Sequence, residues 1–361
     1  MPQVTDFCHP DAHPQSGLRS LVARYETPSL AESAFQIITS IGLFAASCAA
    51  MYWSLHVSYL LTLLLAVPTA GFVVRTFIIQ HDCGHGAFFK SRRANDLLGR
   101  ACSVITLTPY ANWRRQHNCH HSNWNNLDRR ESGADIYSAC LTVEEYRALS
   151  SWGRFVHRFV RHPIVAQFVV PPLVFLFLYR IPFDTPRAWS RERRSVYWTN
   201  LAILTLFGAL TLLVGLKDVL MVQLPIITLA SIMGIGLFAI QHRYEGVVWT
   251  RQNAWNAQSA ALQGSSYFAL PRILQWFTGN IGFHHVHHLS PRVPNYRLQA
   301  CHDSIPALQA ATTLTLRQGL RSLRLILWDE ANRRMVRLAD VGDAISRNMA
   351  SAKEHAVGSS V

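Results

Sequence analysis

Three clusters of histidine in this chain have the spacing of metal ligands. Two follow the pattern H-x-x-H-H and one the pattern H-x-x-x-H, and their members are, in chain order, His81 and His85, then His117, His120 and His121, then His284, His287 and His288. Residues three and four positions apart share one face of a helix, so each set of imidazoles can converge on one point. Neutral imidazole binds iron, copper, zinc and nickel. A histidine-rich surface loop is the alternative for a single cluster, but a repeated pattern favours a metal site.

The composition indicates a membrane protein. Half of the 361 residues are hydrophobic and only 15% are charged, whereas an ordinary soluble domain carries about 25% charged residues. The formal net charge of +13 then reflects loop topology and anionic lipid rather than nucleic acid. The chain has no zinc finger, RNP motif or separate basic domain, which excludes a nucleic-acid partner.

Four apolar runs are long enough to cross a bilayer. They are residues 35–53, 59–79, 198–216 and 219–240, with short breaks at 54–58 and at Lys217-Asp218. The sequence therefore predicts an all-α integral membrane fold, with four transmembrane helices in two hairpins and a histidine-bearing cytosolic cap. We predict three parts: a loose cytosolic arm (1–34), a membrane domain (35–310) and a basic amphipathic tail (311–361). The tail is expected to form a helix within 313–340.

The number of crossings determines whether the histidines can meet. Residues 97–110 are too short to span and are expected to lie at the interface. Residues 164–179 are apolar but interrupted by Pro171-Pro172, and one crossing there would put the last histidine cluster opposite the others. We therefore predict that this segment is interfacial or re-entrant. All 34 Lys and Arg residues except Lys217 and Arg75 then lie on the histidine-bearing side, which the positive-inside bias identifies as the cytoplasmic one.

His242, at the end of the fourth run, would bring the histidines on this face to nine. A tetrahedral zinc site takes four ligands, so nine imidazoles suit two metals of higher coordination, and a pair of irons is the natural interpretation. Thiolate ligation by Cys83 or Cys119 is a less favoured alternative. Asp82, Asp128 and Glu245 are candidates to accept ring N–H bonds, Glu245 most of all because it stands beside His242; each can also be a solvated loop carboxylate.

The chain resembles the membrane fatty acid desaturases, and most closely the bacterial and cyanobacterial omega-6 (Δ12-type) acyl desaturases. The resemblance covers about residues 45–305 and rests on HDCGH, HNCHH with NLDRRESGAD, QHRYE, and GSSYFALPRILQWFTGNIGFHHVHHLSPRVPNYRL. The family's eight box histidines correspond to the eight histidines of the three clusters above. His242 corresponds to an additional histidine that such enzymes have between the fourth helix and the last box.

The resemblance implies an oxidoreductase that uses two iron ions and dioxygen to insert a cis double bond into an acyl chain, with no catalytic side chain beyond the metal ligands. The substrate would be an acyl lipid or acyl-CoA held in a narrow apolar channel. The chain has no flavin, haem or ferredoxin motif, so electrons would come from ferredoxin or cytochrome b5, acidic proteins suited to a basic face. The implied location is a bacterial inner membrane, among membrane lipids.

Two other functions stay open at this point. An acyl hydroxylase or a carotenoid ketolase or hydroxylase would use the same scaffold, and its product would gain an oxygen atom instead of losing two hydrogen atoms. A non-enzymatic membrane metal-binding protein would need ligands along a path through the membrane, whereas these spans hold almost no buried polar residues.

Overall fold

The computed structural model describes residues 16–130 and 139–341, most of which are helical. The helices of the first third are α1 (Ser16–Ala23), α2 (Leu30–Ile37), α3 (Leu43–Ser54), α4 (Tyr59–His85), α5 (Arg92–Ile105) and α6 (Tyr110–Asn123). A π-helical turn, Ile38–Gly42, joins α2 to α3, so that residues 30–54 form one continuous helical span. The span begins at Ser29, whose side chain accepts a hydrogen bond from Glu32 N and caps the first turn.

Shorter helices surround the second hairpin. The middle of the chain forms α7 (Val143–Ala148), α8 (Ser151–Val160), α9 (Val170–Leu176), α10 (Ser190–Val214) and α11 (Leu216–His242). The last third forms α12 (Ala257–Gly264), α13 (Arg272–Phe277), α14 (His284–Leu289), α15 (Leu298–Ser304), α16 (Pro306–Gln309) and α17 (Leu316–Ser322). Five short strands are β1 (Leu141–Thr142), β2 (Tyr267–Ala269), β3 (Thr313–Thr315), β4 (Leu327–Asp329) and β5 (Arg334–Val336).

The prediction of a mostly helical fold with four spans in two hairpins is confirmed. Among the described residues, four helical segments are long and apolar enough to cross a membrane: residues 30–54, α4, α10 and α11. The second hairpin turns two positions earlier than predicted. Gly215 joins α10 to α11 with φ +87°, a conformation that costs glycine little, and Lys217 and Asp218 lie within the first turn of α11.

The segment with the two prolines does not cross the membrane. The helices over 151–160 and 165–180 are bent by 58° relative to each other. If they crossed together as a single span, His242 at the end of α11 would lie on the opposite side from His120 in α6. The Nε2 atoms of these two residues are 3.1 Å apart, so the chain makes four crossings and every histidine cluster lies at the same end of the bundle.

The two ends of the described chain differ from the prediction. Part of the expected loose arm is folded: α1 buries Val22 against Ile281 and Val286, beside the last histidine cluster. The helix expected within 313–340 is wrong, because this stretch divides into β3, α17, β4, β5 and a helical turn that begins at residue 338. β3 pairs with β2, and β4 lies between β1 and β5 in a three-stranded sheet, where Trp328 is fully buried. These pairings join segments far apart in sequence, which helical periodicity does not reveal. The three-part division itself stays a prediction, and residues 1–15 and 342–361 lie outside the described ones.

Candidate metal centre

Four elements deliver the histidines to one place. His81 and His85 occupy the last turn of α4, which ends at once because Gly86 takes the left-handed conformation (φ +70°) and donates back to Asp82 O and Cys83 O. The box of α6 faces the same point, α11 ends at His242, and α14 carries the last box. Because each box ends or spans a helix, its ring positions follow the 3.6-residue repeat.

The structure brings all nine predicted histidines together in two adjacent groups. The first histidine group consists of His81, His85, His117, His121 and His287. Each member has one ring nitrogen that lies within 4.8 Å of a ring nitrogen of every other member. The second histidine group consists of His120, His242, His288 and His284. His284 belongs there because its Nε2 lies 3.0 Å from His242 Nε2. The rings of His121 and His288 stack at 4.2 Å, where the two groups meet.

The nitrogen contacts within each group suit a metal better than hydrogen bonding. In the second group, His242 Nε2 lies 3.1 Å from His120 Nε2 and 3.0 Å from His284 Nε2. An imidazole Nε2 carries either one proton or one in-plane lone pair, so it cannot form hydrogen bonds with two nitrogens at once. The same conflict recurs in the first group, where His121 Nε2 lies 3.1 Å from His117 Nε2 and 2.9 Å from His287 Nε2.

Ring nitrogens of different histidines that lie 2.9–3.1 Å apart are close enough for one metal ion to bind both of them. In addition, His85 Nε2 and His288 Nε2 are buried with no hydrogen-bond partner among the described residues. The donor set thus fits two metal ions.

Histidines that lie outside the membrane spans are kept by burial in the neutral form, which is the form that binds metal. Removal from water, reinforced by neighbouring imidazoles, lowers the pKa well below the usual value for His117, His121, His284, His287 and His288. Their rings are therefore neutral at pH 7, with a lone pair available.

Three other nearby side chains lie outside both groups. His285, one position from His284, faces the other side of α14 and its Nε2 lies 3.0 Å from His302 Nδ1. Cys83 and Cys119 are buried but belong to neither group. Cys83 instead packs against Ile79 and Phe88, so the structure supports histidine rather than thiolate ligation.

Of the three carboxylates, only Asp82 supports a group member. Asp82 Oδ1 lies 3.2 Å from His81 Nδ1, and Asp82 Oδ2 accepts from Asn295 N at 2.7 Å and Asn295 Nδ2 at 2.8 Å. Asn295 in turn exchanges two hydrogen bonds with Gln36 in α2. Asp128 instead pairs with Arg251 at 2.8 Å, and Glu245 is exposed to solvent whereas His242 is fully buried. The preference for Glu245 was wrong.

Replacing Asp82 by Asn is expected to weaken metal binding by about 10- to 100-fold, the usual effect of removing a carboxylate that orients a ligating histidine. The amide nitrogen would also face donors on Asn295. The measurement is metal retention during titration with a chelator. Asp128→Asn removes a carboxylate of the same size at the surface and should leave retention unchanged; equal retention in the two variants would contradict the role of Asp82.

Aromatic rings close the site from the sides. Trp113 stacks on His117 with ring centroids 4.7 Å apart, Trp124 packs on His242 at 4.1 Å, and Phe238 on His120 at 5.2 Å. Sequence reasoning missed these residues, although Trp113 stands four positions before His117 and Phe238 four positions before His242, so that each shares a helical face with a candidate ligand. These aromatic rings cover the outer faces of the imidazoles and so keep water away from both histidine groups.

An apolar cavity of about 160 Å³ leads from the bundle to the histidines. It touches both groups, through His81 and His117 of the first and His120 and His284 of the second. Along α11 its lining runs from Gln241 to Gln223, a distance of about 27 Å at 1.5 Å per residue. Most of its lining residues are aliphatic or aromatic, and α4 and α11 together supply more than half of the lining. The cavity is long and apolar, as a site for a hydrocarbon chain must be.

Comparison with known proteins identifies similar chains. Residues 41–319 match the family model described as fatty acid desaturase. The chain is 42% identical to a fatty acid desaturase of Bacillus subtilis over 325 residues, which cover 90% of this chain and 91% of the relative. It is 26% identical to an sn-1 oleoyl-lipid 12-desaturase of Anabaena variabilis (70% and 71% covered). It is 24% identical to an sn-1 acyl-lipid omega-3 desaturase (ferredoxin) of Synechocystis (63% of each covered).

Proposed function

The chain belongs to the fatty acid desaturase family, and we propose that it uses two iron ions and dioxygen to insert a cis double bond into an acyl chain. The observation that carries this proposal is the apolar cavity, which ends at histidines of both groups. A hydrocarbon chain in that cavity would lie against the metal centre and away from bulk water.

We assign one iron to the first histidine group and the other to the second. The division follows the ring-nitrogen contacts, which are closest within each group. The bound irons would supply the oxidising power that an unactivated C–H bond requires. The protein positions the chain, excludes water and holds the ligands; the described carboxylates include none that faces the cavity as a general base.

The reaction balances with an external donor. The acyl chain gives up two hydrogen atoms, that is two electrons and two protons, and a carbon–carbon double bond forms. Two further electrons come from the donor and two protons from solvent, so that dioxygen is reduced to two molecules of water. Ferredoxin or cytochrome b5 suits the basic face as donor, and one relative's name includes ferredoxin.

We propose Δ12 (omega-6) desaturation of an oleoyl chain, carried on a lipid or on CoA. The support is the resemblance to oleoyl-lipid 12-desaturases. These relatives are more distant than the Bacillus protein, whose name gives no bond position. The test is gas chromatography–mass spectrometry of fatty acids from a host that is supplied with oleate and a ferredoxin system. A new 18-carbon diene supports the proposal. An oxygenated product would instead indicate the hydroxylase or ketolase chemistry, and an unchanged profile beside a working donor would overturn it.

The proposed location is a bacterial inner membrane with the metal centre on the cytoplasmic face. The distribution of Lys and Arg supports this orientation, because among the described residues Lys217, in the first turn of α11, is the one basic residue at the far end of the second hairpin, and the histidine side carries nearly all the others.

Alkaline phosphatase fusions test the four-crossing topology. Phosphatase is active only outside the cytoplasm, so a fusion after Lys217 should be active. A fusion after Arg187, which follows the bent segment and precedes α10, should be inactive, as should one after Arg92. Activity at Arg187 without activity at Arg92 would mean that the bent segment crosses the membrane, and would contradict the account.

A further inference from the structure

A second depression, lined by other residues than the acyl cavity, reaches the metal centre at His85. This basic depression, with a volume of about 660 Å³, is lined by six Lys and Arg side chains and two carboxylates, a formal net charge of +4. It lies where α4 ends, α5 begins and α10 begins, on the histidine-bearing side of the membrane. The excess of positive charge makes it a site for an anionic partner.

The basic depression reaches a residue of the metal site. His85 lines the depression and belongs to the first histidine group. α6 forms one wall and separates two functions by its periodicity. Its Arg114 and Asn118, four positions apart, face the depression, while His117 and His121 face the metal centre. A partner seated there would lie beside His85, a member of the first group.

The basic depression and the acyl cavity share no lining residue. The acyl cavity touches His81 and His117 of the first group, and the depression touches His85. A molecule in the depression therefore leaves the acyl chain in place. A donor that delivers electrons one at a time has to bind while the acyl chain is bound, so separate sites are required.

The basic side chains of the depression differ in whether they are paired with a carboxylate or exposed at the rim. Asp96 accepts from Arg114 at 2.6 Å and lies 3.3 Å from Arg191, so these arginines are balanced within the protein. Lys90 and Arg92 are exposed at the rim. Long basic side chains at a rim suit the acidic surface of a protein better than the single phosphate of a lipid, which would enter with its acyl chain through the other cavity.

We propose that the basic depression is the docking site of an acidic one-electron carrier protein, whose electrons enter the metal centre through His85. This inference rests on the proposed function. Each docking event would oxidise the carrier by one electron, which the irons held by the two histidine groups would accept, and two events would supply the two external electrons of the balanced reaction.

The first test measures binding. The full-length protein in nanodiscs is titrated with an acidic plant-type [2Fe–2S] ferredoxin at low ionic strength, and Kd is compared for wild type, the double variant Lys90→Glu/Arg92→Glu, and Arg317→Glu. Arg317 is exposed on α17, outside the depression, and is the control for charge reversal. We expect Kd to rise at least about tenfold in the double variant and less than about twofold in the control, with the difference shrinking at high salt. Equal Kd values would overturn the proposal.

The second test separates docking from the reaction itself. Diene formation is driven either by reduced ferredoxin or by reduced methyl viologen, a small carrier that needs no acidic docking surface. In the double variant, the ratio of the ferredoxin-driven rate to the viologen-driven rate should fall at least about fivefold from wild type. An unchanged ratio would overturn the docking site. That outcome includes an equal loss of rate with both reductants, which is what a role in binding the lipid headgroup would produce. Absence of diene from wild type with either reductant would instead count against the proposed function.

Discussion

Replacing His287 by alanine is expected to abolish acyl desaturation, with diene formation reduced by more than about 100-fold, while the protein stays folded in the membrane. His287 Nε2 lies 2.9 Å from His121 Nε2 at the centre of the first histidine group. Loss of a ligand should cost more than the 10- to 100-fold that removal of a ligand's orienting partner costs. His120→Ala, in the second group, should have the same effect. The measurements are the fatty-acid profile and the iron content of the purified variants.

His285→Gln is the matched control for these variants. His285 is as buried as His287 and lies in the same helix, but its Nε2 faces His302 Nδ1 at 3.0 Å. Glutamine places an amide nitrogen near the position of that Nε2, so the contact can be kept. We expect both irons and most of the activity to remain. Full activity in His287→Ala, or loss of iron in His285→Gln equal to that in His287→Ala, would contradict the assignment of ligands.

Filling the acyl cavity should also stop the reaction without touching the metal centre. Gly234 lines the cavity in α11, seven residues or about 10 Å from Gln241. A Cβ atom at Gly234 would meet no other atom within 4 Å, so a larger side chain fits the backbone and projects into open space. In Gly234→Phe the ring would displace part of the acyl chain. Excluding three methylenes costs about 2.4 kcal/mol, or roughly 50-fold in binding.

Gly208→Phe provides the control for helix propensity and size. Gly208 lies in α10, is exposed on the outside of the bundle and likewise has no atom within 4 Å of an added Cβ. We expect Gly234→Phe to retain its iron but to lose at least about tenfold in diene formation from oleate, and Gly208→Phe to lose neither. Equal diene yields in the two variants would show that the acyl chain does not occupy this cavity.

The sequence was sufficient to predict the parts of the site that depend on local periodicity. The i, i+3, i+4 spacing of His284, His287 and His288 predicts that they share one helical face, and in the structure all three belong to the histidine groups. Hydropathy predicted four spans, and the requirement that the boxes meet predicted that residues 164–179 do not cross. The division of neighbouring histidines between the groups, with His120 in the second and His121 in the first, depends on tertiary packing that spacing does not encode.

The parts that sequence reasoning missed depend on contacts between distant segments. The sequence offers Asp82 as one of three candidate carboxylates, and what distinguishes it is Asn295, 213 residues away, which donates to Asp82 while Asp82 lies against His81. Trp328 lies in a stretch with leucines at helical spacing, but it is buried in a strand beside β1, which starts at Leu141. The basic depression combines residues from α4, α5, α6 and α10, so no single stretch of sequence indicates it.

The most direct test of the central claim is the metal content of the full-length protein, purified in detergent after expression with adequate iron. Elemental analysis should find two iron atoms per chain, and X-ray absorption at the iron edge should show coordination mainly by imidazole nitrogen at both. In His287→Ala and His120→Ala the iron content should fall to about one or less. A wild-type protein that holds one metal per chain, or zinc or copper in place of iron, would contradict the account of two histidine groups that hold two irons.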